Sequence, residues 1–364
     1  MNKVEYKHLI AFHPGYYIKD MIEDMEISQE EFANRLGVSG KTVSKLINGK
    51  INLSNDVALQ LSTMFGTSTE MWLNLQQSYN VKCLEIAKEK QLDSEKELLK
   101  LIDYKYFVDL GFVENTRDTL EKIKNLCAFF KISKLSILLR EDLLVNYRSS
   151  SESLNEKNIV NSKAWLQTAI NIGKDMQVES FNESKLEKYI PEIREMTLQN
   201  PDVFLPRLKE IFSECGVSFV LLPHLKNSGI NGAVKWINNE KVILAMNDRR
   251  NYADTFWFSL FHEIKHVLQQ KHKLTLISFQ SKRINQIDKV LEEEADLFAQ
   301  DTLIPRNKYK TFIEMQNFSE SSICSFSKCI SIHPGIVVGR LQNDKYIGFN
   351  QYNNLKLKYK INLS

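Results

Sequence analysis

The chain has 364 residues and a mass of 42.4 kDa, which is enough for two or three domains of ordinary size. Its charged fraction of 26% and hydrophobic fraction of 43% are typical of globular proteins and argue against wholesale disorder. No run approaches 18 apolar residues, the N-terminus lacks an apolar signal core, and the five cysteines form no CxxC pair. These features predict a cytoplasmic protein without a membrane span or disulfides. The net charge of +3 is too small to indicate a partner.

Residues 1–80 show the pattern of a compact, all-helical domain. Ser28 with Glu31 three positions later forms a capping box, which marks the start of a helix. Gly37 ends that helix, and Ser39 caps the next short one. Further helices are predicted to begin at Ser54 or Asn55 and at Ser68.

Residues 81–175 keep a helical apolar spacing, apart from a polar stretch over 149–161 that we expect to be a loop. The segment carries no motif. It is interpreted as a connecting and dimerisation region, and a satellite of the core is an equally good alternative.

The composition changes after residue 201, where β patterns appear. The predicted elements are a buried strand over 217–222, a hairpin over 232–246, helices over 252–270 and 290–303, two short helices within 318–341, and a lysine-rich edge strand over 355–361.

The segment from Ser28 to Asn48 has the spacing of a helix-turn-helix. Ala33 is small enough for two helices to approach closely, and Gly37 supplies the tight turn between them. The outer face of the second helix, with the first residue of the helix before it, would then meet DNA in a major groove. The candidate DNA-contacting residues are Gln29, Ser39, Lys41, Thr42, Ser44 and Lys45.

The local charge supports DNA as the partner of this segment. Residues 1–80 hold seven Lys and Arg against nine Asp and Glu, yet residues 32–55 hold four cations and no acid. Phosphate neutralisation requires such a segregated positive face. The alternative is a helical bundle that serves only protein contacts.

Several motifs in this domain resemble the HigA family of antitoxin repressors over nearly all of residues 8–80. They are His13-Pro14-Gly15, Ser28-Gln29 through Gly49-Lys50, Ala58-x-x-Leu61, Phe65-Gly66-Thr67 and Trp72-Leu73-Asn74-Leu75-Gln76. The resemblance implies a homodimer that reads a palindromic operator in double-stranded DNA, often at its own promoter. It also implies a toxin partner in some members.

A second constellation, His262-Glu263-x-x-His266, lies on the predicted helix over 252–270. Two histidines four residues apart project from one helix face and can share a Zn²⁺ ion. Glu263 is offset sideways toward an open position of the metal, where it can act as general base on a metal-bound water. The alternative is a helix whose histidines bond to core polar groups.

The next helix offers the third ligand in its acidic run. Ala295 and Ala299 mark the side on which another helix can come close, and Glu292 and Asp296 flank that side. We expect Glu292 to be the third metal ligand and Asp296 to accept a ring N–H from a liganding histidine. The alternative is a solvated helix start that the helix dipole favours.

This pattern resembles the ImmA/IrrE family of metallopeptidases over about residues 200–341. The matching residues are the HExxH motif followed 26 positions later by Glu292, then Asp296, Ala299, Leu303 and Pro305. The resemblance implies a zincin-like fold, a Zn²⁺ cofactor and protein substrates, typically a repressor cut near its DNA-binding domain. Lys265 departs from the family, which usually has a small residue there.

The sequence thus predicts a mainly α protein with a small β-sheet, of the α+β class. Its expected parts are an all-α helix-turn-helix domain (1–80), a helical connecting region (81–175), a zincin-like metallopeptidase domain (176–317), and a helical module with an edge strand (318–364). The leading hypothesis is a transcriptional regulator with a zinc endopeptidase that cleaves itself or a partner regulator. In the alternative, the zinc-fold domain is a non-hydrolytic sensor or binds a toxin.

Two details of a peptidase stay open at this level. Tyr252 and His224 are both candidates for stabilising the oxyanion, among other groups. The hairpin over residues 233–245 offers a sheet edge to which an extended substrate could add as a strand, although a covered edge is the plainer interpretation.

Overall fold

A computed structural model describes residues 3–140, 155–248, 252–272, 275–279 and 286–360 of the chain. These residues form two compact units, which divide between Glu97 and Leu98. Both are mainly helical with a small sheet, which confirms the predicted α+β class. No helix among the described residues combines the length and apolarity needed to span a bilayer.

The first unit is a β-hairpin followed by helices. Its elements are β1 (Lys3–Tyr6), β2 (Leu9–Phe12), α1 (Pro14–Asp24), α2 (Gln29–Leu36), α3 (Gly40–Ile47), α4 (Asn55–Phe65) and α5 (Thr69–Leu99), which runs past the unit boundary. The expected domain boundary at residue 80 falls within α5.

Serine hydroxyls begin the helices of this unit. The Oγ atoms of Ser28, Ser39 and Ser54 accept the backbone N–H three residues later, so each serine is the N-cap of its helix. Gly37 ends α2 with a φ of 75°, a conformation that glycine adopts without strain. The backbone N–H of Glu31 makes the capping-box bond to Ser28, while its carboxylate pairs with Arg35 on the same helix.

The hairpin of β1 and β2 is an addition to the all-helical domain that the sequence predicted. Its strands pair antiparallel from Lys3 opposite Phe12 to Tyr6 opposite Leu9. The hydroxyl of Tyr6 donates to Asp93 on α5 at 2.7 Å, and Lys7 pairs with the same carboxylate. Because these contacts join residues almost 90 positions apart, no local sequence pattern predicts them.

Gly15 lies where α1 packs against the backbone of α3. A Cβ atom at this position would lie 1.9 Å from the carbonyl oxygen of Leu46 and 2.9 Å from the Cα of Ile47. Both atoms belong to the backbone of α3 and cannot rotate away. The His-Pro-Gly sequence therefore needs glycine here for steric reasons.

We expect Gly15→Ala to destabilise the first unit by about 3 kcal/mol, the upper range for a forced overpacking. Amide hydrogen exchange of residues 40–47 in the full chain measures this loss. Gly40→Ala is the matched control, because a Cβ there meets no atom within 4 Å. Equal exchange rates in the two variants would contradict the steric role of Gly15.

The second unit contains a mixed four-stranded sheet and the remaining helices. The elements are α6 (Tyr104–Asp109), α7 (Thr119–Phe130), α8 (Glu156–Asp175), α9 (Glu183–Glu195), α10 (Pro201–Glu214), β3 (Val217–Leu222), β4 (Ile230–Trp236), β5 (Val242–Asn247), α11 (Ala253–Leu268), β6 (Thr275–Phe279), α12 (Gln286–Leu303), α13 (Arg306–Glu314), α14 (Glu320–Cys329) and α15 (Pro334–Asn343).

The strand order in this sheet is β3-β5-β4-β6. β4 and β5 form the predicted antiparallel hairpin, with Ala233 opposite Ala245, and β3 pairs parallel to β5. Both hairpin strands therefore lie inside the sheet. The expectation that residues 233–245 offer an open edge to a substrate is wrong, because β6 and β3 occupy the two flanks.

The sheet is covered on both faces, and its side chains alternate accordingly. Val242, Leu244 and Met246 of β5 point to a core shared with α10, α11, α14 and α15. Ile243 and Ala245 point to a second core formed with α6, α7 and α8. Part of the segment over 81–175 thus belongs to the core of the second unit.

Two local predictions are wrong in this unit. The polar stretch expected as a loop ends earlier, because α8 already begins at Glu156 and its N-cap is Asn155; residues 149–154 lie outside the described residues. Residues 355–360 form a single bridge, between Tyr252 and Lys358, rather than an edge strand. Tyr359 is buried there, where its hydroxyl accepts from the indole N–H of Trp257.

Candidate functional site

The helix-turn-helix of α2 and α3 presents its candidate DNA-contacting residues to solvent. Phe32, Val43 and Ile47 are buried, which leaves the opposite side of α3 exposed. Gln29 is the first residue of α2. Lys41, Ser44 and Lys45 are exposed on α3, Thr42 is partly exposed, and Ser39 is exposed at the helix start.

Charge pairing divides the cations of this segment into two groups. Arg35 pairs with Glu31, so its charge is partly neutralised within α2. Among the described residues, Lys41 and Lys45 take part in no ion pair within 4.0 Å. The hydroxyls of Ser39 and Thr42 lie 2.8 Å apart, and Ser39 also caps α3. The two lysines are therefore the cations of α3 that a phosphate can approach most readily.

In the second unit, α11 and α12 bring the HExxH motif and the acidic run together. Ala295 and Ala299 are fully buried, and their small side chains let the two helices pack closely. The Nε2 atoms of His262 and His266 lie 3.0 Å apart. The carboxylate of Glu292 approaches them at 3.3 Å and 3.1 Å respectively.

The outer ring nitrogens of both histidines have acceptor partners. His262 Nδ1 lies 2.9 Å from the carboxylate of Asp296, and His266 Nδ1 lies 2.8 Å from the side-chain oxygen of Gln269. An acceptor in each place requires an N–H on Nδ1 and leaves Nε2 with its lone pair when the ring is neutral. Two nitrogen lone pairs and a carboxylate thus converge on one point.

This donor set fits a zinc ion. Ligand atoms at roughly 2.0–2.1 Å from a tetrahedral Zn²⁺ stand about 3.3 Å from each other. The two Nε2 atoms lie 3.0 Å apart, and Nε2 of His262 lies 3.3 Å from one oxygen of Glu292 while Nε2 of His266 lies 3.1 Å from the other. Two imidazoles and one carboxylate are also the ligand types of hydrolytic zinc sites.

The same groups attract positive charge even without a metal. Burial lowers the pKa of His262, but hydrogen bonds to Asp296 and Glu292 outweigh burial and raise the pKa to about 10. Burial raises the pKa of Glu292, and its hydrogen bonds to His262 and His266 bring it down to about 2. Carboxylates packed around an imidazole favour its protonated form, and the imidazoles in turn favour the ionised form of the carboxylate.

Glu263 lies beside the cluster in a tightly filled place and is only 1% exposed. A Cβ atom on Gly232 of β4 would lie 2.3 Å from Oε1 of Glu263 and 2.6 Å from its Cδ. Gly232 therefore makes the room that the Glu263 carboxylate occupies. Sequence reasoning missed Gly232, because a glycine within a strand carries no signal for a contact with a helix 31 residues away.

The structure also places three further residues that the sequence analysis discussed, Tyr252, His224 and Lys265. Tyr252 is the N-cap of α11, and eleven residues of helix place it roughly 16 Å along the axis from Glu263. That distance is too large for a role at the oxyanion. His224 follows β3, and its backbone N–H donates to Asp248 at 2.8 Å. Lys265 extends its ammonium over the ring of Phe298 at 5.7 Å, on α12.

Comparison with known proteins gives matches of limited length. A family model described as helix-turn-helix matches residues 18–72. The chain is 35% identical over 68 residues to the uncharacterized HTH-type transcriptional regulator YddM of Escherichia coli (strain K12), covering 19% of this chain and 72% of YddM. It is 37% identical over 62 residues to Antitoxin HigA-1 of Vibrio cholerae, covering 17% of this chain and 58% of the antitoxin.

Among solved structures, the chain is similar to PA4674 from Pseudomonas aeruginosa, which was determined in complex with its operator DNA. The identity is 33%, and the match covers 22% of this chain and 90% of that chain, with a TM-score of 0.21.

Proposed function

The chain belongs, through its first unit, to the family of helix-turn-helix transcriptional regulators, and we propose that it binds operator DNA as a homodimer. A dimer matches a palindromic operator because each α3 can then enter one half-site. The observation that carries this proposal is the exposed face of α3, on which Lys41 and Lys45 form no ion pair within 4.0 Å among the described residues.

Lys45→Ala tests the phosphate contact. We expect weaker binding to a duplex selected from a random library, and a salt dependence of log K that is flatter by about one unit of slope, since one phosphate contact is lost. The control is Lys19→Ala, which removes the same charge from α1, where Lys19 pairs with Glu23. A slope equal to that of the control would remove Lys45 from the phosphate contacts.

We further propose that the second unit is a zinc-dependent endopeptidase. The supporting observation is the convergence of His262, His266 and Glu292, which offer one ligand atom each within 4.8 Å of one another, with the Glu263 carboxylate alongside. Within the described residues, these three are the group of side chains suited to hold a metal. The resemblance to the ImmA/IrrE family points to the same chemistry.

In this proposal His262, His266 and Glu292 hold the ion. Zinc, when bound, supplies a Lewis acid that polarises a peptide carbonyl and makes a water molecule more acidic. Asp296 accepts the Nδ1 hydrogen of His262 and so fixes the ring with Nε2 turned inward. Glu263 takes a proton from the attacking water and returns it to the leaving amine.

Metal content of the purified chain tests this proposal most directly. We expect a stoichiometric zinc ion per wild-type chain and none in the double variant His262→Ala/His266→Ala. His272→Ala serves as the control, because His272 packs against Trp236 outside the cluster. Equal zinc contents in the wild type and the double variant would show that the metal, if any, is held elsewhere.

The substrate class follows from the pairing of the two units in one chain. We propose that the substrate is this chain or a partner repressor, and that cleavage relieves repression. Incubation of the zinc-loaded chain alone, and with the proteins encoded by neighbouring genes, separates the two. A repressor with a non-hydrolytic sensor would leave all of them intact.

A second candidate function is suggested by the similarity to Antitoxin HigA-1. In that case the second unit would hold a toxin rather than cut a protein. Co-purification with a toxin encoded beside the gene, unaffected by Glu263→Gln, would favour this alternative.

A further inference from the structure

The side chain of Gln269 touches both His266 and the helix that carries Glu292. It follows the last residue of α11 and is partly buried. Its Oε1 lies 2.8 Å from Nδ1 of His266. Its Nε2 lies 2.9 Å from the carbonyl oxygen of Leu291 and 3.0 Å from the carboxylate of Glu294, both on α12.

The partners of the amide decide which way it faces. A backbone carbonyl and a carboxylate only accept hydrogen bonds, so both must face the NH₂ group of Gln269. The carbonyl oxygen of the amide is then turned to His266, where it can only accept. Nδ1 of His266 must therefore carry a hydrogen, and in the neutral ring Nε2 then carries the lone pair that faces Glu292 and His262.

We propose that Gln269 is a positioning residue that fixes the tautomer and the ring orientation of His266 and ties α12 to α11 at the level of Glu292. Asp296 has the corresponding role for His262, so each histidine has an acceptor beside its Nδ1 atom. The two arrangements differ, because Gln269 reaches from the histidine helix to α12 whereas Asp296 reaches from α12 to the histidine. Together, these contacts orient both imidazole rings and join α11 to α12 beside Glu292.

The inference rests on the proposed zinc site, since an oriented Nε2 matters most to a metal. It nevertheless concerns a property of the metal-free chain, the tautomer of one imidazole. Nuclear magnetic resonance of ¹⁵N-labelled histidine reports that property directly, through the distinct shifts of Nδ1 and Nε2. The His266 signals are assigned by their absence in His266→Ala.

Two substitutions at this position separate the hydrogen bond from mere packing. Gln269→Met keeps the length of the side chain but has no polar hydrogen and only a weak acceptor. We expect it to lose the single Nδ1–H tautomer of His266. Gln269→Glu keeps an acceptor next to Nδ1, and we expect it to restore that tautomer but not the contacts to Leu291 and Glu294, which need an NH₂ donor. Gln270→Met is the control, because the neighbouring Gln270 bonds to Glu183 and does not touch the cluster.

Zinc affinity is the second readout, measured on the metal-free full chain by competition with a chromophoric chelator and Zn²⁺ alone. We expect Gln269→Met to bind zinc about 10–100-fold more weakly than Gln270→Met, which is the usual effect of losing the partner of a liganding histidine. Thermal unfolding of the metal-free variants shows whether any loss comes from unfolding instead.

The outcomes distinguish this inference from the proposed function. If Gln269→Met keeps the His266 tautomer and the zinc affinity of Gln270→Met, the role of Gln269 is wrong although the zinc site stands. If the wild type binds no zinc, the proposed function fails, and the tautomer measurement still decides whether Gln269 orients His266.

Discussion

We expect Glu263→Gln to retain zinc at the wild-type level and to cleave the substrate roughly 10²–10⁴ times more slowly, the range for the loss of a general base. The measurement pairs metal analysis of the purified variant with the cleavage rate of whichever substrate the wild type cuts. This variant gives the largest expected effect from the removal of a single ionisable group.

The physical reason for this expectation is that the substitution removes the charge of Glu263 and leaves the metal ligands unchanged. Glutamine has nearly the shape of glutamate, so it fits the same buried place against Gly232. The ligand atoms of His262, His266 and Glu292 are untouched, hence the metal should stay. An amide, however, cannot take a proton from water at neutral pH, so the attacking water is no longer activated.

A neighbouring glutamate provides the control for this experiment. Glu293 is exposed on α12 and pairs with Lys289, so Glu293→Gln removes one charge close to the site without entering it. We expect its cleavage rate to match the wild type. Cleavage by Glu263→Gln at the wild-type rate would assign the base to another group.

Local patterns predicted much of the helical framework. The N-caps Ser28 and Ser39 and the glycine at the end of α2 lie where the sequence placed them, since a cap involves residues only three apart, and Ser54 is one of the two helix starts that the sequence left open. The HExxH spacing and the Ala295/Ala299 pair also hold enough information to predict two facing helices. The parallel pairing of β3 with β5 could not be predicted from local patterns, because β4 lies between those strands in the chain.

The supporting residues of the site were not predictable for a related reason. Gln269 acts through a carbonyl of Leu291, and every residue has such a carbonyl, so no motif marks the partner. Gly232 acts through the absence of a side chain on a strand. Both contacts depend on how α11 lies against β4 and α12, which is a property of the packed unit and not of any one segment.

Gly232→Ala is therefore expected to impair hydrolysis while the metal ligands stay in place. The added Cβ would stand 2.3–2.8 Å from three atoms of the Glu263 side chain, so that side chain must move. We expect a cleavage rate lower by about 10² or more, since the base then leaves its position beside the metal. Zinc content should change little, because the clash falls on the Glu263 side chain rather than on a metal ligand.

A double-mutant cycle makes this interpretation specific. If Gly232 acts only by making room for Glu263, the variant Gly232→Ala/Glu263→Gln should be no slower than Glu263→Gln alone, because the base has already been lost. Additive losses would mean that Gly232 affects the reaction by a route other than the position of Glu263. Wild-type activity in Gly232→Ala would show that Glu263 does not work from the position that the structure gives it.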